Sequence, residues 1–355
     1  MMSAPPPVLA RVLRGDRIES VHRGDVAVVD EDGRLLACAG SPETCIYVRS
    51  AAKPFQAMPL LEAGGERTFR LGSDEIALLC ASHGGEPRHV RVARRLLSRG
   101  RFRVRDLACG AHLPMHEPSA RAMVARGQRP TALHNNCSGK HAGLLLACRL
   151  FDFDPAGYWK PMHAIEQKVL DRISDYCETP SHRIGIAVDG CSLPVFFLPL
   201  SALARGYARL LSRQRRGEAA GEAAVRARIC RAMWESPAMV AGLGRFTTDF
   251  LDAGGGRWIG KEGAEGVYAI GIRSPAADGK SIGIAFKVED GSSRARDAVA
   301  LDILERLGWL SAAARRSLSP HRSPVVRNVR GAAVGRIEAV VALAGEAVDA
   351  RAVWG

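Results

Sequence analysis

Residues 44–56 read Thr-Cys-Ile-Tyr-Val-Arg-Ser-Ala-Ala-Lys-Pro-Phe-Gln, and the rest of the chain is organised around this stretch. The β-branched and aromatic residues before Ser50 predict a strand that ends at Arg49. The apolar residues after it run to a Gly-Gly pair at 64–65 and predict a helix. Ser50 is therefore expected where a strand turns into a helix, at a helix N-terminus that favours negative charge. Pro54 fits only the first turn of such a helix.

The spacing of Ser50 and Lys53 indicates a nucleophile beside a base. Residues three apart share one face of a helix, so the Lys53 amine can approach the Ser50 hydroxyl. A serine hydroxyl is a poor nucleophile until a base takes its proton, and burial can lower the pKa of a lysine enough for that role. Serine β-lactamases and penicillin-binding proteins use the same Ser-x-x-Lys spacing. The same four letters also fit a capping serine followed by a solvated lysine.

The scarcity of lysine supports the functional interpretation. Only seven of the 50 basic residues are lysine, and the others are arginine. Arginine cannot be deprotonated in a protein, so it can be neither a base nor a metal ligand. Lys53, Lys140 and Lys261 each lie in a motif rich in Gly, Ser or Cys. These three lysines are therefore the ones expected to carry chemistry.

Composition excludes several classes of protein. The chain has 355 residues, of which 47% are apolar and 25% charged, as in ordinary globular domains. No apolar run approaches the roughly 18 residues that a membrane span needs, and the N-terminal residues lack a signal-peptide core. The nine scattered cysteines predict reduced thiols and a cytoplasmic protein. A net charge of +13 is spread along the chain with few aromatic residues near the arginines, so no nucleic-acid partner is expected.

The order of predicted elements indicates the fold class. An acidic turn containing Asp32-Gly33 joins two apolar strands near the N-terminus, and further strands are predicted in the last third. We therefore expect an α/β (α+β) fold with a mainly antiparallel sheet built from both chain ends around a helical middle. The chain is predicted to be one catalytic unit, residues 1–355, with the sheet part at 1–49 and 257–355 and the helical part at 50–256.

Two further motifs add hydroxyl, amine and thiol groups. Lys261-Glu262-Gly263 enters a predicted strand and is similar to the Lys-Thr-Gly of the same serine enzymes. Ser82-His83-Gly84-Gly85 offers a hydroxyl and flexible backbone N–H groups, although a simple turn with a capping serine fits equally.

Cys137, Lys140 and Cys191 form an unusual set. Two thiolates suit zinc, and Lys140 would have to bind as a neutral amine. Structural zinc sites normally have four Cys or His ligands, so metal-free buried thiols are the simpler interpretation of the spacing alone. Three other side chains are candidate ligands: His134, His141 and Asp189.

Five segments in chain order resemble the rhizobial-type L-asparaginase family: residues 47–56, 81–86, 109–110, 134–141 and 189–194. That family is similar in fold to serine β-lactamases and serine-dependent glutaminases. The resemblance implies Ser50 as nucleophile with Lys53, and a second pair formed by Ser82 and Lys261. It also implies one zinc ion per chain, with the ligands Cys137, Lys140 and Cys191. Asp189 is then expected at the substrate, and we place Arg49 and His141 there as well.

The expected reaction is hydrolysis of L-asparagine to L-aspartate and ammonia through a serine acyl-enzyme, by a protein that we expect to be a homodimer. A glutaminase, or another serine acyl-hydrolase acting on a β-lactam or peptide amide, is the alternative. A zinc-binding protein without turnover is the alternative from a different class.

Overall fold

The computed structural model describes residues 5–213, 215, 217–274 and 279–345 of the chain. The strands within these residues are β1 (Val8–Arg14), β2 (Arg17–Asp30), β3 (Leu35–Ala39), β4 (Cys45–Tyr47), β5 (Gly185–Val188), β6 (Pro194–Pro199), β7 (Trp258–Gly263), β8 (Val267–Ile272), β9 (Ile282–Val288), β10 (Val325–Arg327), β11 (Ala333–Ala339) and β12 (Ala344–Gly345).

Most of the α-helices lie between β4 and β7. They are α1 (Lys53–Gln56), α2 (Met58–Glu62), α3 (Gly65–Phe69), α4 (Ser73–Leu79), α5 (Pro87–Arg99), α6 (Glu117–Ala125), α7 (Ser138–Leu150), α8 (Ala164–Cys177), α9 (Leu200–Leu211), α10 (Ala220–Glu235), α11 (Pro237–Val240), α12 (Phe246–Gly254), α13 (Arg296–Arg306), α14 (Ala312–Ser317) and α15 (Ser319–Arg322).

The main sheet confirms the predicted fold class, a mixed α/β protein with an antiparallel sheet. Its strand order is β10-β11-β1-β2-β9-β8-β7, with β3 paired to both β2 and β12. The paired strands run antiparallel, and they come from both ends of the chain as predicted. The second half of β2 explains why it is central: Val26, Ala27 and Val28 are fully buried and hydrogen-bonded on both sides.

The chain separates into two compact units. The first comprises Met1–Ala51, Leu198–Arg213 and Ala253–Gly355 and contains the main sheet. In it, α9 packs against β2, β8 and β9, and α13 packs against β1, β8 and β11. Helix α9 lies inside the sequence range that was expected to be the helical part, yet it packs on the sheet.

Two glycines in the sheet allow this close approach of α9. A Cβ on Gly283 would lie 1.7 Å from the Ala204 carbonyl oxygen, and one on Gly271 would lie 2.4 Å from that of Tyr207. The main chain of α9 therefore lies directly on β8 and β9, at a distance that leaves no room for a side chain between them.

We expect Gly283→Ala to destabilise the protein by about 3 kcal/mol, because the added methyl group has to displace the backbone of α9. Gly221→Ala is the matched control, since a Cβ at Gly221 meets nothing within 4 Å. Alanine there should be neutral or stabilise helix α10 by up to about 1 kcal/mol. Urea unfolding measures both changes, and equal effects of the two substitutions would contradict this account of the packing.

The second unit comprises Ala52–Phe197 and Gln214–Asp252 and is mainly helical. Its interior is built on α4 and α7, which meet where a Cβ on Gly139 would lie 2.2 Å from the Leu78 carbonyl oxygen. The antiparallel pair of β5 and β6 carries Asp189 and Cys191 in its turn. In the part of the chain that the structure describes, none of the helices has both the length and the apolar character needed to cross a bilayer.

Candidate active site

Ser50 lies in a tight turn of the first unit. Strand β4 ends at Tyr47, a single 3-10 helix spans Arg49–Ala52, and α1 begins at Lys53. The strand-to-helix placement is therefore as predicted, but the α-helix starts three residues later than expected. The reason is that the chain tightens into a 3-10 turn at the helix N-terminus, a common arrangement there.

The backbone of this turn is constrained. Arg49 adopts a left-handed conformation with φ of 49°, which a residue with a side chain adopts only at a cost. The Ala51 N–H donates to the Val48 carbonyl (3.1 Å), and the Tyr207 hydroxyl donates to the Ala51 carbonyl (2.8 Å). Tyr207 comes from α9, and no sequence signal connected it with Ser50. Strained, well-supported backbone of this kind is typical of functional positions.

Lys261 lies on β7, in the same unit as Ser50. A Cβ on Gly263 would lie 2.9 Å from the Val48 carbonyl oxygen, so this face of β7 is turned towards the segment that leads into Ser50. Because side chains alternate along a strand, Lys261 points to the same face. Its side chain is fully buried, and its Nζ donates to the Glu262 carbonyl (2.9 Å).

Lys53 and Ser82 meet in the second unit. Lys53 is fully buried, and its Nζ donates to the Ser82 hydroxyl oxygen (3.0 Å) and to the Ala81 carbonyl. Arg245 supports Ser82 from the other side, since its guanidinium donates to the Ser82 carbonyl (2.7 Å). The pairing of Ser82 with Lys261, which the resemblance implies, stays a prediction, and the structure describes a contact of the Ser82 hydroxyl with Lys53.

The segment after Ser82 is bound tightly to the 134–141 segment. The His83 N–H donates to the Asn136 carbonyl (3.2 Å), and its Nε2 lies 2.9 Å from the Ser138 hydroxyl. Burial lowers the pKa of His83 well below its usual range, so the ring is neutral at pH 7. The small residues of both motifs therefore allow the two segments to pack closely. This packing fixes the position of Ser82 relative to the start of α7.

Cys137, Lys140 and Cys191, the zinc ligands that the resemblance implies, lie close together in the second unit. All three are buried, and the Lys140 Nζ lies 3.3 Å from the Cys191 Sγ. The Cys191 thiol donates to an Asp189 carboxylate oxygen (4.0 Å), and its side chain also interacts with that of Cys137. Cys191 reaches this cluster because the turn between β5 and β6 brings it beside the start of α7.

The ionisation of the cluster follows from these contacts. The neighbouring Cys191 side chain, together with the positive charge of Lys140, lowers the pKa of Cys137 well below its usual range despite burial. Burial alone would lower the pKa of Lys140, but the acidic groups around it, Cys191, Cys137 and Asp189, outweigh it and raise that pKa. The pKa of Cys191 is raised as well, by the Cys137 side chain and by burial, so Lys140 and Cys191 both favour their protonated forms when no metal is bound.

His141 uses one of its two ring nitrogens in a contact with Tyr158. Its Nδ1 lies 2.7 Å from the Tyr158 hydroxyl, which accepts the Ala108 N–H (2.9 Å). Because the Tyr158 oxygen accepts that N–H, we assign its own hydrogen as the one donated to Nδ1 of His141. The single hydrogen of the neutral imidazole ring is then on Nε2. That buried Nε2 makes no hydrogen bond of good geometry to the described residues, although the nearby Cys191 backbone opposes the fall in its pKa. Burial lowers the pKa of His141 well below its usual range, and the charges of Lys140 and Lys53 add to the effect.

The donor set of the cluster fits zinc. Two sulfurs and an amine are donors that Zn²⁺ accepts, and a fourth position would remain open for water or substrate. Within the described ranges no group of three or more His, Cys, Asp and Glu side chains is arranged to hold a metal. The cluster has only two such residues, and its third donor is the lysine amine. Zinc binding would require Lys140 and Cys191 to lose their protons.

Glu166 is a buried acid near the cluster that sequence reasoning did not identify. It lies on α8 with 1% of its surface exposed, and neither carboxyl oxygen has a hydrogen-bond partner among the described residues. Burial raises its pKa to about 8, although the Lys140 charge opposes the shift. Glu166 is therefore mostly neutral at pH 7.

This raised pKa makes stability depend on pH. The folded protein holds the Glu166 proton up to pH near 8, whereas an unfolded chain releases it above its ordinary pKa, so this contribution to stability falls as pH rises. Between pH 6 and 8 we expect the wild type to lose roughly 2 kcal/mol of unfolding free energy more than Glu166→Gln does. Asp171→Asn, at an exposed position of the same helix, is the control. Parallel pH profiles for wild type and Glu166→Gln in urea unfolding would contradict the prediction.

Comparison with known protein families identifies the chain as an amidohydrolase. The model of the family L-asparaginase II matches residues 10–339, and the chain belongs to that family. The resemblance found in the five sequence motifs is thereby confirmed. None of the curated proteins matches the chain.

Several solved structures show a loose similarity. One, described as Mglu, has a TM-score of 0.34 at 16% identity, and the match covers 81% of this chain and 67% of the Mglu chain. Another, Mglu in its native form, has a TM-score of 0.32 at 16% identity, with 80% and 63% covered. A third, the native form in 4.3 M NaCl, has a TM-score of 0.31 at 17% identity, with 83% and 60% covered. The matched region thus spans about three fifths to two thirds of the length of these solved chains.

Proposed function

We propose that the protein hydrolyses the side-chain amide of L-asparagine, giving L-aspartate and ammonia, through an acyl-enzyme on Ser50. The observation that carries the proposal is the Lys53 amine. It is fully buried, follows the Ser50 turn directly, and is hydrogen-bonded to a second hydroxyl, that of Ser82. A lysine amine that is hydrogen-bonded to one hydroxyl can take a proton from a nucleophilic serine and pass it on through that hydroxyl.

The reaction begins when Lys53, in its amine form, accepts the Ser50 proton and the Ser50 oxygen attacks the amide carbon. The tetrahedral oxyanion is stabilised by backbone N–H groups of the 3-10 turn, including that of Ser50. The proton on Lys53 passes through the Ser82 hydroxyl to the amide nitrogen, and the C–N bond breaks to release ammonia. Water then attacks the ester carbon, with Lys53 and Ser82 working in reverse, and aspartate leaves. The second pair is completed by Lys261, which we expect to assist the transfer to nitrogen.

Recognition of the α-amino and α-carboxylate groups is assigned to the cluster at the start of α7. Cys137, Lys140 and Cys191 would hold zinc, which when bound supplies a Lewis acid for this end of the substrate. Asp189 accepts hydrogen bonds from the α-ammonium group. The Nε2–H of His141 donates to the α-carboxylate, and Arg49 contributes positive charge.

The proposal predicts a preference for asparagine over glutamine of about 10²-fold in kcat/KM. A pocket alone discriminates one methylene by only about 1–3 kcal/mol. Fixing the α-amino and α-carboxylate groups increases the discrimination. The longer side chain of glutamine then displaces the amide carbon from Ser50 by roughly 1 Å, and such a misplacement can lower the rate about 10²-fold. Ammonia release from both amides measures the ratio. Asp189→Asn should shrink it, since a looser anchor lets the longer substrate adjust, whereas Asp171→Asn should not.

The same experiment decides between the alternatives. Equal hydrolysis of both amides would indicate a general glutaminase-asparaginase, and turnover of a β-lactam or peptide amide instead would indicate another serine acyl-hydrolase. A zinc-binding protein without turnover would release ammonia from neither amide, and its metal binding would be insensitive to Ser50→Ala. The homodimer and the cytoplasmic location stay predictions, and sedimentation of the purified protein measures the first.

A further inference from the structure

We propose that a groove on the helical unit binds a small organic anion, a carboxylate or phosphate ester with an apolar body. The groove has a volume of about 540 Å³ and is formed by α5, α6 and the segments that precede them. This volume lies in the range of sites that enclose small molecules. None of the residues in the proposed catalytic or zinc machinery lines it.

The floor of the groove is apolar. Pro87 and Val90 contribute from α5, Met123 from α6, and Pro114 from the segment before α6. Pro114 and Met123 are buried, Val90 is half-buried and Pro87 is exposed, so the floor extends from the packed interior to the solvent. Such a surface favours a ligand with an apolar body, because binding removes both surfaces from water.

The polar lining of the groove is strongly cationic. Arg91 and Arg94 project from α5, and Arg126 follows α6 on the opposite side. The lining contains no aspartate or glutamate. Within the described part of the chain, none of these three guanidinium groups forms an ion pair with a carboxylate. A ligand that complements them carries negative charge, and guanidinium groups bind carboxylate and phosphate oxygens with two hydrogen bonds each.

The other arginines of α5 show that this arrangement is not a general property of the helix. Arg95 lies 2.6 Å from a Glu75 carboxylate oxygen, and Arg99 lies 2.8 Å from the same carboxylate. Helix α5 therefore directs its neutralised arginines to one side and its uncompensated arginines to the groove.

One wall of the groove is closely packed without a ligand. Gly85 lies in its wall with φ of 71°, and a Cβ there would be 3.0 Å from the His134 carbonyl oxygen and 3.1 Å from the Pro114 Cα. The His116 N–H donates to the Gly84 carbonyl (2.8 Å), which binds the segment before α6 to this wall. A preformed site loses less free energy to ordering when a ligand binds.

Two larger partners fit the groove less well. A second copy of the chain bound symmetrically would bring the same arginines of both copies together without a carboxylate between them. Single-stranded nucleic acid needs aromatic side chains for base stacking, and the lining has no Phe, Tyr or Trp. A small anion satisfies both the apolar floor and the charges.

The test is a fluorescence titration of the full chain with 8-anilinonaphthalene-1-sulfonate, an aromatic anion. We expect one site per chain with a Kd of roughly 10–100 μM, the affinity usual for a ligand of this size. Octanoate should compete, whereas octanol and inorganic phosphate, which each have only half of the recognised chemistry, should compete at least about 10-fold less well.

Two variants locate the site. Ala122→Trp fills the groove from an exposed position of α6 and should weaken the probe at least about 10-fold, and Arg94→Gln should weaken it about 3- to 10-fold. Arg121→Gln is the control, because Arg121 is on the same helix, pairs with Glu117 and does not line the groove. Thermal unfolding verifies that each variant is folded.

Three results would overturn the proposal. The first is no saturable binding of the probe by the wild type. The second is binding that Ala122→Trp and Arg94→Gln leave unchanged. The third is a fall in the sedimenting mass of Ala122→Trp, which would make the groove an interface between copies of the chain. None of these measurements uses turnover, so they are independent of the proposed amidase activity.

Discussion

Replacing Lys53 with arginine is expected to lower the rate of asparagine hydrolysis at least about 10²-fold, the scale of general-base catalysis. Arginine cannot accept the Ser50 proton, because a guanidinium group stays protonated in proteins. Lys53 is fully buried, so the larger head group has to fit beside Ser82. Lys53→Met is therefore the companion variant, since it keeps the length of the side chain and removes the amine without adding bulk. Lys160→Arg, at an exposed position, is the matched control.

Steady-state ammonia release together with thermal unfolding gives the result. Near-normal turnover in a folded Lys53→Arg or Lys53→Met protein would remove Lys53 from the mechanism. Loss of activity in both, with unfolding temperatures near that of the wild type, is the expected outcome.

Because Lys53 is hydrogen-bonded to Ser82, an experiment has to establish whether Ser50 or Ser82 is the nucleophile. Ser50→Ala should be at least as damaging as Lys53→Arg, since it removes the covalent route altogether. Mass spectrometry of protein quenched during turnover should find the aspartyl ester on the peptide that contains Ser50. An ester on Ser82 would transfer the role of nucleophile to that residue and make Ser50 part of the relay.

Replacing Cys191 with serine is expected to weaken zinc binding at least about 10³-fold. Structural zinc sites bind with apparent free energies of about 10–16 kcal/mol shared among their ligands, so the loss of one thiolate removes several kcal/mol. Cys45→Ser is the matched control, because Cys45 is exposed. Elemental analysis should find about one zinc per wild-type chain, and competition with a chromophoric chelator measures the Kd values.

The ionisation of the metal-free cluster adds an independent signature to this experiment. Lys140 holds its proton and Cys191 remains a thiol in the absence of metal, so zinc uptake should release about two protons and tighten as pH rises. Titration calorimetry in buffers of different ionisation enthalpy counts these protons. Purified wild-type protein that neither contains zinc nor retains added zinc would remove the metal from the proposed function.

Much of the fold could be predicted from local patterns. Apolar strands at both chain ends, separated by helical residues, predicted the antiparallel sheet, and the predicted strands β2, β3, β8 and β9 belong to it, whereas β1 and β7 were not predicted. The pattern did not predict that α9 packs on the sheet, because only the packed structure shows that Gly271 and Gly283 face its backbone. An amphipathic helix indicates that one face is buried, but not against which partner.

Part of the candidate site could likewise be predicted from the sequence, and part could not. The sequence by itself determined that Ser50 is followed at helical spacing by Lys53, that lysine is reserved for a few motifs, and that five motifs match one family of amidohydrolases. Those conclusions depend on residue identity and on neighbours within one or two turns, which spacing determines directly.

Only the tertiary structure decided which distant groups meet. Ser82 is bound by Lys53 because the close approach of α4 to α7 sets the position of the segment that carries Ser82. Cys191 reaches Lys140, 51 residues away along the chain, through the turn between β5 and β6. Tyr158 orients His141, and the burial of Glu166 raises its pKa, without any motif that marks either residue. Desolvation and long-range hydrogen bonds depend on what packs against a side chain, and that is a property of the folded chain as a whole.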